Sequence, residues 1–529
     1  MYSEGHSCNG IHGKGGGLYV RRVYKKWFSR AQEKGLFKDL GSADHSLRRH
    51  QDLLYPSSVQ HIDGAVVCMI RQGEERAVAV FNRDSLGFSG HSFHSGQNRV
   101  RLCPLNHNNA VHLRKRVAFT GPSALRDRAV TFGVGDRLGI ATPGHIRVLR
   151  QFEVSPVLAQ QSPRELELAG RTYSDIVDPV TWAVFQEGYN EPWGADGDHL
   201  KTVEWVKEAQ SLGCTMITAD LTDYIQTALG KLQGEALNIE YEKLAPVYRK
   251  EIEEEYIGQG LRLDTGERIE FSREMLAQVS IVYNRAVAHA QTLYNACAES
   301  GKIPDFEVSI DETDTPTSPE AHVFVARELQ KLEIPVVSLA PRFIGRFEKA
   351  VDYNGDIDIF KRTFSTHSAV ARHFGHKLSI HSGSDKFSIY SLIGELSEAC
   401  FHVKTCGTSW LEAMSVIAEV DPSLFRDLYE YARQSLPLAA GYYQTVASPE
   451  SMEDIGRVDN RELSAIMQRR NERQVFHITY GQILSNEKLK GRLFAVLNRN
   501  LERYWERLEI HLGRHLRLLG VREKRGQLT

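Results

Sequence analysis

From about Phe119 onward, short runs of β-branched and apolar residues alternate with longer helix-forming stretches. This alternation is typical of parallel β/α units and argues against a β-sandwich, in which strand would follow strand. Seven runs are predicted to be strands, with a further one at 475–479; they are residues 138–141, 182–185, 215–219, 307–310, 335–339, 377–380 and 401–404. We therefore expect a barrel or a doubly wound sheet.

Polar and titratable side chains lie at the carboxyl ends of these predicted strands. They include Thr142, His145, Glu187, Asp220, Asp311, Arg342, His381 and Lys404. A (β/α)8 barrel builds its active site from the loops at this end of its strands. Strand ends are exposed to solvent in any protein, so a single polar residue there is weak evidence for an active site. The repeated pattern favours a (β/α)8 TIM-type barrel with an N-terminal extension and C-terminal helices.

The segments outside the predicted barrel strands have other patterns. Residues 65–70 and 77–81 are apolar runs around a Gly/Glu turn, which predicts a β-hairpin. Residues 231–268 form a charged insertion that we expect to be helical and solvated. Residues 493–519 are amphipathic, with arginines and glutamates interleaved, as in a salt-bridged surface helix.

These patterns divide the chain into three parts. Residues 1–118 are predicted to be an N-terminal extension with an accessory β-hairpin layer, 119–485 the barrel, and 486–529 C-terminal helices. Residues 1–17 are rich in glycine and lack the apolar region of a secretory signal, so we expect a flexible tail.

Charge and cysteine content indicate which kinds of partner and which cellular compartment to expect. The 65 Lys and Arg residues nearly balance the 67 Asp and Glu residues, so the chain has no basic excess for nucleic acid or a membrane surface. No run reaches the roughly 18 apolar residues of a spanning helix. The 7 cysteines form no C-x-x-C pair, which favours reduced thiols and a cytoplasmic location. A small-molecule substrate is expected, and an oligomer is compatible with the sequence.

Three of the 21 histidines lie near strand ends with polar neighbours: His199, His381 and His402. Imidazoles from separate loops are a common ligand set for zinc or a similar divalent ion, with coordination positions left open for substrate. Any one of these histidines could equally be a core residue. Together they predict a metal site.

The strand ending at Asp311 has the same polar–apolar–polar rhythm as the strand ending at His381. If both strands belong to the barrel, the two side chains point into one cavity. Glu312 follows immediately, and the spacing leaves open which of Asp311 and Glu312 faces the site.

Several long motifs resemble the tagaturonate/fructuronate epimerase family. They are residues 132–139 (FGVGDRLG), 141–145 (ATPGH), 308–317 (VSIDETDTPT), 378–387 (LSIHSGSDKF), 401–410 (FHVKTCGTSW) and 476–481 (FHITYG). The likeness extends from about residue 119 to about 485. It implies an isomerase that interconverts D-tagaturonate and D-fructuronate.

A weaker likeness concerns class II metal-dependent aldolases. Asp198 and His199, followed by residues 206–213, resemble the Asp-His and helix segment of those enzymes, and residues 378–384 resemble a stretch that supplies a zinc ligand there. No histidine ends the predicted strand 335–339, where the aldolases have another ligand. The third ligand is therefore His402, with Glu312 or Asp311 as the substitute, and the ion could be Zn, Mn, Ni or Co.

The two likenesses suggest retro-aldol chemistry. The two hexuronates differ at a carbon β to the ketone, whose hydrogen is not acidic by simple enolisation. Breaking the α–β carbon bond and rejoining it on the other face avoids this problem, and needs two acid/base groups. We expect Asp198 to accept a proton and Glu312 to donate one. Arg342, Lys386 and Lys404 are expected to hold the substrate carboxylate.

Two other functions remain open at this point. One is an aldolase that releases its fragments, and the other is an inactive barrel that binds a sugar acid. Accumulating three-carbon products would favour the first.

Overall fold

The structure is a computed structural model that describes residues 16–40, 44–82, 86–95, 98–443 and 447–525. Most of the predicted tail, residues 1–15, lies outside the described residues. Within them, no helix is long and apolar enough to cross a membrane.

The first part of the chain forms an antiparallel five-stranded sheet with flanking helices. Its elements are α1 (Gly16–Glu33), α2 (Leu36–Asp39), β1 (Gln60–Ile62), β2 (Ala65–Gln72), β3 (Glu75–Phe81), β4 (His91–Ser95), β5 (Asn98–Cys103) and α3 (His107–Arg116). The strand order is β1-β2-β3-β5-β4. β2 and β3 form the predicted hairpin, in which Gln72 pairs with Glu75 across a turn with Gly73 at φ 63°.

Both faces of this sheet are covered. Alternate residues of β2 pack on one side against Trp27 and Phe28 of α1. On the other side, Val67 and Met69 pack against Trp182 and Phe185, which belong to a helix of the barrel. The sheet is thereby attached to the barrel by an apolar contact.

Eight parallel strands form a closed barrel, which confirms the predicted (β/α)8 fold. They are β6 (Val130–Val134), β7 (Ser155–Gln161), β8 (Gly194–Leu200), β9 (Met216–Asp220), β12 (Asp305–Ile310), β13 (Val336–Pro341), β14 (Lys377–Ile380) and β15 (Phe401–Thr405). Closure occurs between β15 and β6, where Phe401 pairs with Val130 and Thr405 with Val134.

Helices surround the barrel. Those up to the last strand are α4 (Thr142–Leu149), α5 (Pro163–Ala169), α6 (Ser174–Glu187), α7 (Val203–Ser211), α8 (Gly234–Glu242), α9 (Pro246–Tyr256), α10 (Arg273–Glu299), α11 (Pro319–Lys331), α12 (Ile357–Phe374) and α13 (Tyr390–Leu396). The insertion at 231–268 contains α8, α9 and a small hairpin of β10 (Leu261–Arg262) and β11 (Arg268–Ile269). Its predicted helical character is confirmed, and the hairpin was not foreseen.

Within the described residues after the last strand there are six further helices: α14 (Thr408–Val420), α15 (Pro422–Ala439), α16 (Leu463–Ile466), α17 (Arg470–Ser485), α18 (Glu487–Arg499) and α19 (Leu501–Leu518). α19 packs against α4 and donates a hydrogen bond from Trp505 Nε1 to the Ile140 carbonyl at 2.8 Å. Its outer arginines pair with carboxylates, for example Arg507 with Glu419 at 2.7 Å, as the interleaved charges predict. The boundaries at 118 and 485 remain a prediction.

Three of the predicted strands were wrong. Residues 182–185 lie inside α6 and 475–479 inside α17, because a short apolar run looks the same in a buried helix as in a buried strand. Residues 138–141 form a turn in which the Asp136 carboxylate accepts hydrogen bonds from the backbone N–H groups of Gly139 and Ala141, both at 2.7 Å. The barrel strands that the sequence did not predict are β6, β7 and β8.

Candidate active site

A buried lysine lies among three carboxylates near the carboxyl ends of the strands. Lys404 Nζ is 2.8 Å from Asp196 Oδ2, 2.7 Å from Asp198 Oδ1 and 2.8 Å from Glu307 Oε1. It also donates to Thr218 Oγ1 at 2.6 Å. The side chains converge because alternate residues of β8, β9, β12 and β15 point into the barrel.

The charges of this cluster depend on one another. Burial opposes the charge of Lys404, but Asp196, Asp198 and Glu307 outweigh burial and hold its pKa well above the usual value. Burial also favours the neutral form of Asp198, yet His199 and Lys404 hold its pKa well below the usual range. For Asp196, burial prevails over Lys404 and raises the pKa to about 6. Asp198 is thus the more firmly ionised of the two aspartates.

His199 and His381 meet beside this cluster, with ring centroids 4.8 Å apart. Their ring nitrogens and an Asp311 carboxylate oxygen all lie within 4.8 Å of one another. Two donor atoms that bind one ion at about 2.1 Å each lie at most about 4.2 Å apart, so this grouping is close to the spacing that one ion requires. The sequence prediction that these two histidines share a site agrees with this geometry.

Each imidazole is oriented by a carboxylate. His199 Nδ1 is 2.8 Å from Asp198 Oδ1, and His381 Nε2 is 2.8 Å from Glu307 Oε1. Such carboxylate contacts are common behind metal-binding histidines, where they fix the ring and raise its basicity. Burial opposes protonation of both rings, but Asp198 raises the pKa of His199 to about 10, and Asp311 raises the pKa of His381. The pocket therefore favours positive charge at the position of the two rings.

The backbone at His199 is unusual for a residue with a side chain. Its φ is 56°, in the left-handed region, and the pairing of β8 with β9 shifts between Gly197 and Leu200. A bulge of this kind redirects side chains and is common beside active sites. It lets Asp198 reach Lys404 while the adjacent His199 reaches His381, which regular alternation would forbid.

His402, predicted as the third ligand, is not brought to this group. Its neighbour across the sheet is Ser379, two residues before His381, so it lies one layer deeper in the barrel. Its Nδ1 is 2.9 Å from Thr131 Oγ1, and burial lowers its pKa to about 3. Asp311, which the sequence left open as the alternative, is the residue that joins His199 and His381.

Glu312, the predicted proton donor, is exposed at the mouth of the site. Burial lowers the pKa of His199 and Asp198 raises it, and Glu312 lies close enough to the ring to raise it further. Asp311 is already engaged by Ser309 Oγ at 2.6 Å and by His381 Nδ1 at 3.2 Å. Glu312 is therefore the freer of the two carboxylates.

Two of the predicted carboxylate-binding cations are already saturated. Lys386 Nζ donates to the carbonyls of Glu348, Val351 and Ser384 at 2.7–2.8 Å, which uses its three hydrogens. Lys404 is enclosed by the cluster described above. These contacts leave neither ammonium group available to a substrate carboxylate. The Arg342 guanidinium has no ion pair among the described residues, so its assignment stays a prediction.

Asp196, Glu307 and Thr218 were missed by sequence reasoning. Asp196 lies two residues before Asp198, and Glu307 two residues before Ser309 and four before Asp311. The period of two along a strand could have identified them, because residues at that spacing share a face.

The fold and this cluster define a class of protein: a (β/α)8 barrel enzyme whose strand ends carry convergent acid, base and ligand groups. Residues 55–519 match the model of the UxaE tagaturonate epimerase family. The tagaturonate/fructuronate epimerase of Thermotoga maritima is 42% identical over 420 residues, covering 79% of this chain and 86% of that protein. The chain therefore belongs to the tagaturonate epimerase family, and is an isomerase acting on a carbohydrate derivative.

Solved structures agree with this assignment. The native crystal structure of the fructuronate-tagaturonate epimerase UxaE from Cohnella laeviribosi aligns with a TM-score of 0.86 and 38% identity, covering 90% of this chain and 98% of that chain. The YdjI aldolase from Escherichia coli K12 aligns with a TM-score of 0.35 and 10% identity, covering 68% of this chain and 97% of that chain. The likeness to class II aldolases stays a prediction.

Proposed function

We propose that this enzyme interconverts D-tagaturonate and D-fructuronate by breaking and rejoining a carbon–carbon bond, with a divalent cation held by His199, Asp311 and His381. The observation that carries the proposal is the grouping of these donor atoms within 4.8 Å of one another. We also place the enzyme in the cytoplasm, since six cysteines of the described residues are free thiols.

The residues at this position fit a divalent cation. Two imidazoles and one carboxylate are a ligand set used for Zn, Mn, Ni and Co, and the set leaves positions for substrate oxygens. Three carboxylates, those of Asp196, Asp198 and Glu307, contact the ammonium of Lys404, and a fourth, that of Asp311, contacts His381. When bound, the cation would act as a Lewis acid toward the ketone and adjacent hydroxyl oxygens.

The reaction begins with Asp198, which is held ionised beside His199 and Lys404. It takes the proton of the hydroxyl on the carbon β to the ketone, and the oxygen's electron pair forms an aldehyde as the α–β carbon bond breaks. The electron pair of that bond passes to the ketone fragment as an enediolate. Lys404 keeps Asp198 in position throughout.

Epimerisation requires the aldehyde to present its other face. After it turns, the enediolate carbon attacks it again, and the new alkoxide receives a proton from the protonated carboxyl group of Glu312 at the mouth of the site; Asp198 then releases its proton to solvent and Glu312 takes one up, which restores both groups. Two acid/base groups in different positions serve the two orientations of this hydroxyl. The barrel interior keeps both fragments from diffusing away.

The proposal is tested by running the reaction in D2O and locating deuterium by NMR. Bond cleavage and rejoining retain the hydrogen on the epimerised carbon, so no deuterium should enter there. One deuterium at that carbon per turnover would refute the retro-aldol route. Accumulation of three-carbon products without epimer would indicate the aldolase alternative.

The cation is tested separately by dialysis against a chelator and by substitution. His199→Ala and His381→Ala should lose bound metal and activity together, because each removes one ligand. His61→Ala, which changes an exposed histidine on β1, is the matched control. Unchanged metal stoichiometry in either site variant would exclude that residue as a ligand.

A further inference from the structure

The loop after β15 leads into α14 through a helix end that lacks a capping side chain. Gly407 occupies the N-cap position at φ 89°, and no side chain there accepts from the first turn. Free backbone N–H groups and the helix dipole make such an end attractive to an anion. In (β/α)8 barrels the loops after the seventh and eighth strands often bind anions in this way; here those strands are β14 and β15.

A buried histidine points at this helix end. His477 is 2% exposed, and its Nδ1 lies 2.7 Å from the position that a Cβ on Gly407 would occupy. This nitrogen has no hydrogen-bond partner among the described residues. Since the Arg137 guanidinium lies 3.4 Å from Nε2 and can only donate, Nε2 accepts, and Nδ1 of the neutral ring carries the hydrogen. An unused donor is thus directed at the start of α14.

Two further buried hydroxyl groups, one on α14 and one in the loop after β14, have no hydrogen-bond partner among the described residues. The Thr408 hydroxyl at the first helical position is 1% exposed and makes no hydrogen bond to a described residue. Ser384, in the neighbouring loop after β14, has a buried hydroxyl that likewise makes no hydrogen bond to a described residue. Buried polar groups are nearly always satisfied, so several orphans around one helix end indicate a polar ligand.

One cation within electrostatic range of His477 has no counterion among the described residues. Arg137 pairs with Glu165 at 2.7 Å, and Arg473 pairs with Asp385 at 2.8 Å. Lys349 also lies within electrostatic range of His477, and it forms no ion pair with any described residue.

This helix end is next to the reacting groups. Lys404, three residues before Gly407, contacts Asp198 at 2.7 Å. Asp198 and the start of α14 therefore lie at the same end of the barrel. The proposed hexuronate carries a carboxylate a few bonds from the carbon that is epimerised, which suits a ligand that spans the two.

We propose that the amino-terminal end of α14, with Thr408, His477, Ser384 and Lys349, binds the carboxylate of the hexuronate. This site takes the role that the sequence assigned to Lys386 and Lys404, whose hydrogens are used within the protein. The inference rests on the proposed substrate, because it names the part of the enzyme that recognises its acid group. It makes no use of the metal or of the bond-breaking step.

Steady-state kinetics with tagaturonate test the site. Thr408→Val should raise KM about tenfold, and Lys349→Met about 10- to 100-fold, as expected for lost hydrogen bonds to a charged group. kcat should change less than about threefold in both. Matched controls are Ser368→Ala, which removes an orphaned buried hydroxyl on α12, and Lys361→Met, which removes an exposed lysine.

Competition by glycerate and by glycerol separates charge recognition from general damage. Glycerate should inhibit the parent protein more strongly than glycerol, and Lys349→Met should weaken only glycerate. Equal inhibition by the two compounds in the parent, or an unchanged KM in both variants, would overturn the inference. So would a KM increase confined to Arg342→Met. Failure of the metal proposal would appear as turnover without metal, and failure of the retro-aldol proposal as deuterium uptake at the epimerised carbon. In both cases Thr408→Val and Lys349→Met would still raise KM, so the two kinds of failure can be told apart.

Discussion

Asp196 and Asp198 are two residues apart on one strand, and both contact Lys404, yet they differ in charge behaviour. Burial raises the pKa of Asp196 to about 6, whereas His199 and Lys404 overcome burial and lower the pKa of Asp198. The difference comes from His199, which Asp198 contacts at 2.8 Å. Two like residues can thus have different tasks: Asp196 helps to hold Lys404, and Asp198 is kept ionised as a proton acceptor.

Replacing Asp198 by asparagine tests this division at the scale of one residue. Asp198→Asn keeps the shape but cannot accept the substrate proton, so kcat should fall by about 10²- to 10⁴-fold. Bound metal, measured by atomic emission, should stay at the parent level, because Asp198 is not among the proposed ligands. Asp427→Asn, at a surface ion pair, is the control. A nearly normal rate would remove Asp198 from the mechanism.

At the scale of elements, the sequence predicted more of the late strands than of the early ones. The runs at 377–380 and 401–404 match β14 and β15 because they are apolar, short and followed by loop residues. β8 was missed because Gly194–Leu200 contains glycine and aspartate where β-branched residues are usual. Function overrides propensity in this strand, since its aspartates and His199 build the site.

The sequence likewise predicted only part of the site. His381 and Asp311 could be named from their positions at predicted strand ends, and His199 from its polar neighbours and from the likeness of Asp198 and His199 to the Asp-His segment of class II aldolases. The exclusion of His402 and the saturation of Lys386 could not, because they depend on pairing register and on loop carbonyls far away in sequence. Register is a property of the closed barrel rather than of any one segment.

A chain of three buried histidines joins α11, α12 and the start of β14. His322 Nδ1 is 3.0 Å from His367 Nδ1, and His322 Nε2 is 2.9 Å from His376 Nε2. His367 Nε2 is 3.1 Å from the carbonyl of Thr317 and so donates to it. One direction of donation then satisfies the chain with every ring neutral: His376 donates to His322, and His322 to His367.

Stability should therefore depend on pH through these elements. Burial lowers the pKa of His367 and of His376 to about 4, against about 6.5 in an unfolded chain. Between these values the unfolded state binds more protons, so the contribution of these two histidines to the free energy of unfolding should be highest above pH 6.5 and fall as the pH drops toward 4. Urea unfolding at pH 7.5 and 5.0 measures this. His367→Gln should reduce the difference relative to the parent and to His61→Gln, and an equal difference in all three would contradict the assignment.

At the scale of the whole molecule, the N-terminal sheet and the barrel share an apolar interface. α6 lies between β7 and β8 along the chain, and its Trp182 and Phe185 are covered by the sheet. The sheet thus stabilises the helix that precedes Asp198 and His199 without contributing a residue to the cluster around Lys404. The extension acts through packing rather than chemistry.

Trp182→Ala tests this role, because it removes a side chain that is 5% exposed at the interface. The loss of buried area and the cavity should lower the free energy of unfolding by about 3–5 kcal/mol, measured with urea. Trp205→Ala, on α7 with a side chain 37% exposed, should cost far less. At 25 °C the surviving folded Trp182→Ala protein should keep the parent kcat, since the reacting groups are untouched. Equal stability of the two variants would show that the sheet and the barrel are only loosely attached, and a large loss of kcat would show that the interface holds β8 in its active geometry.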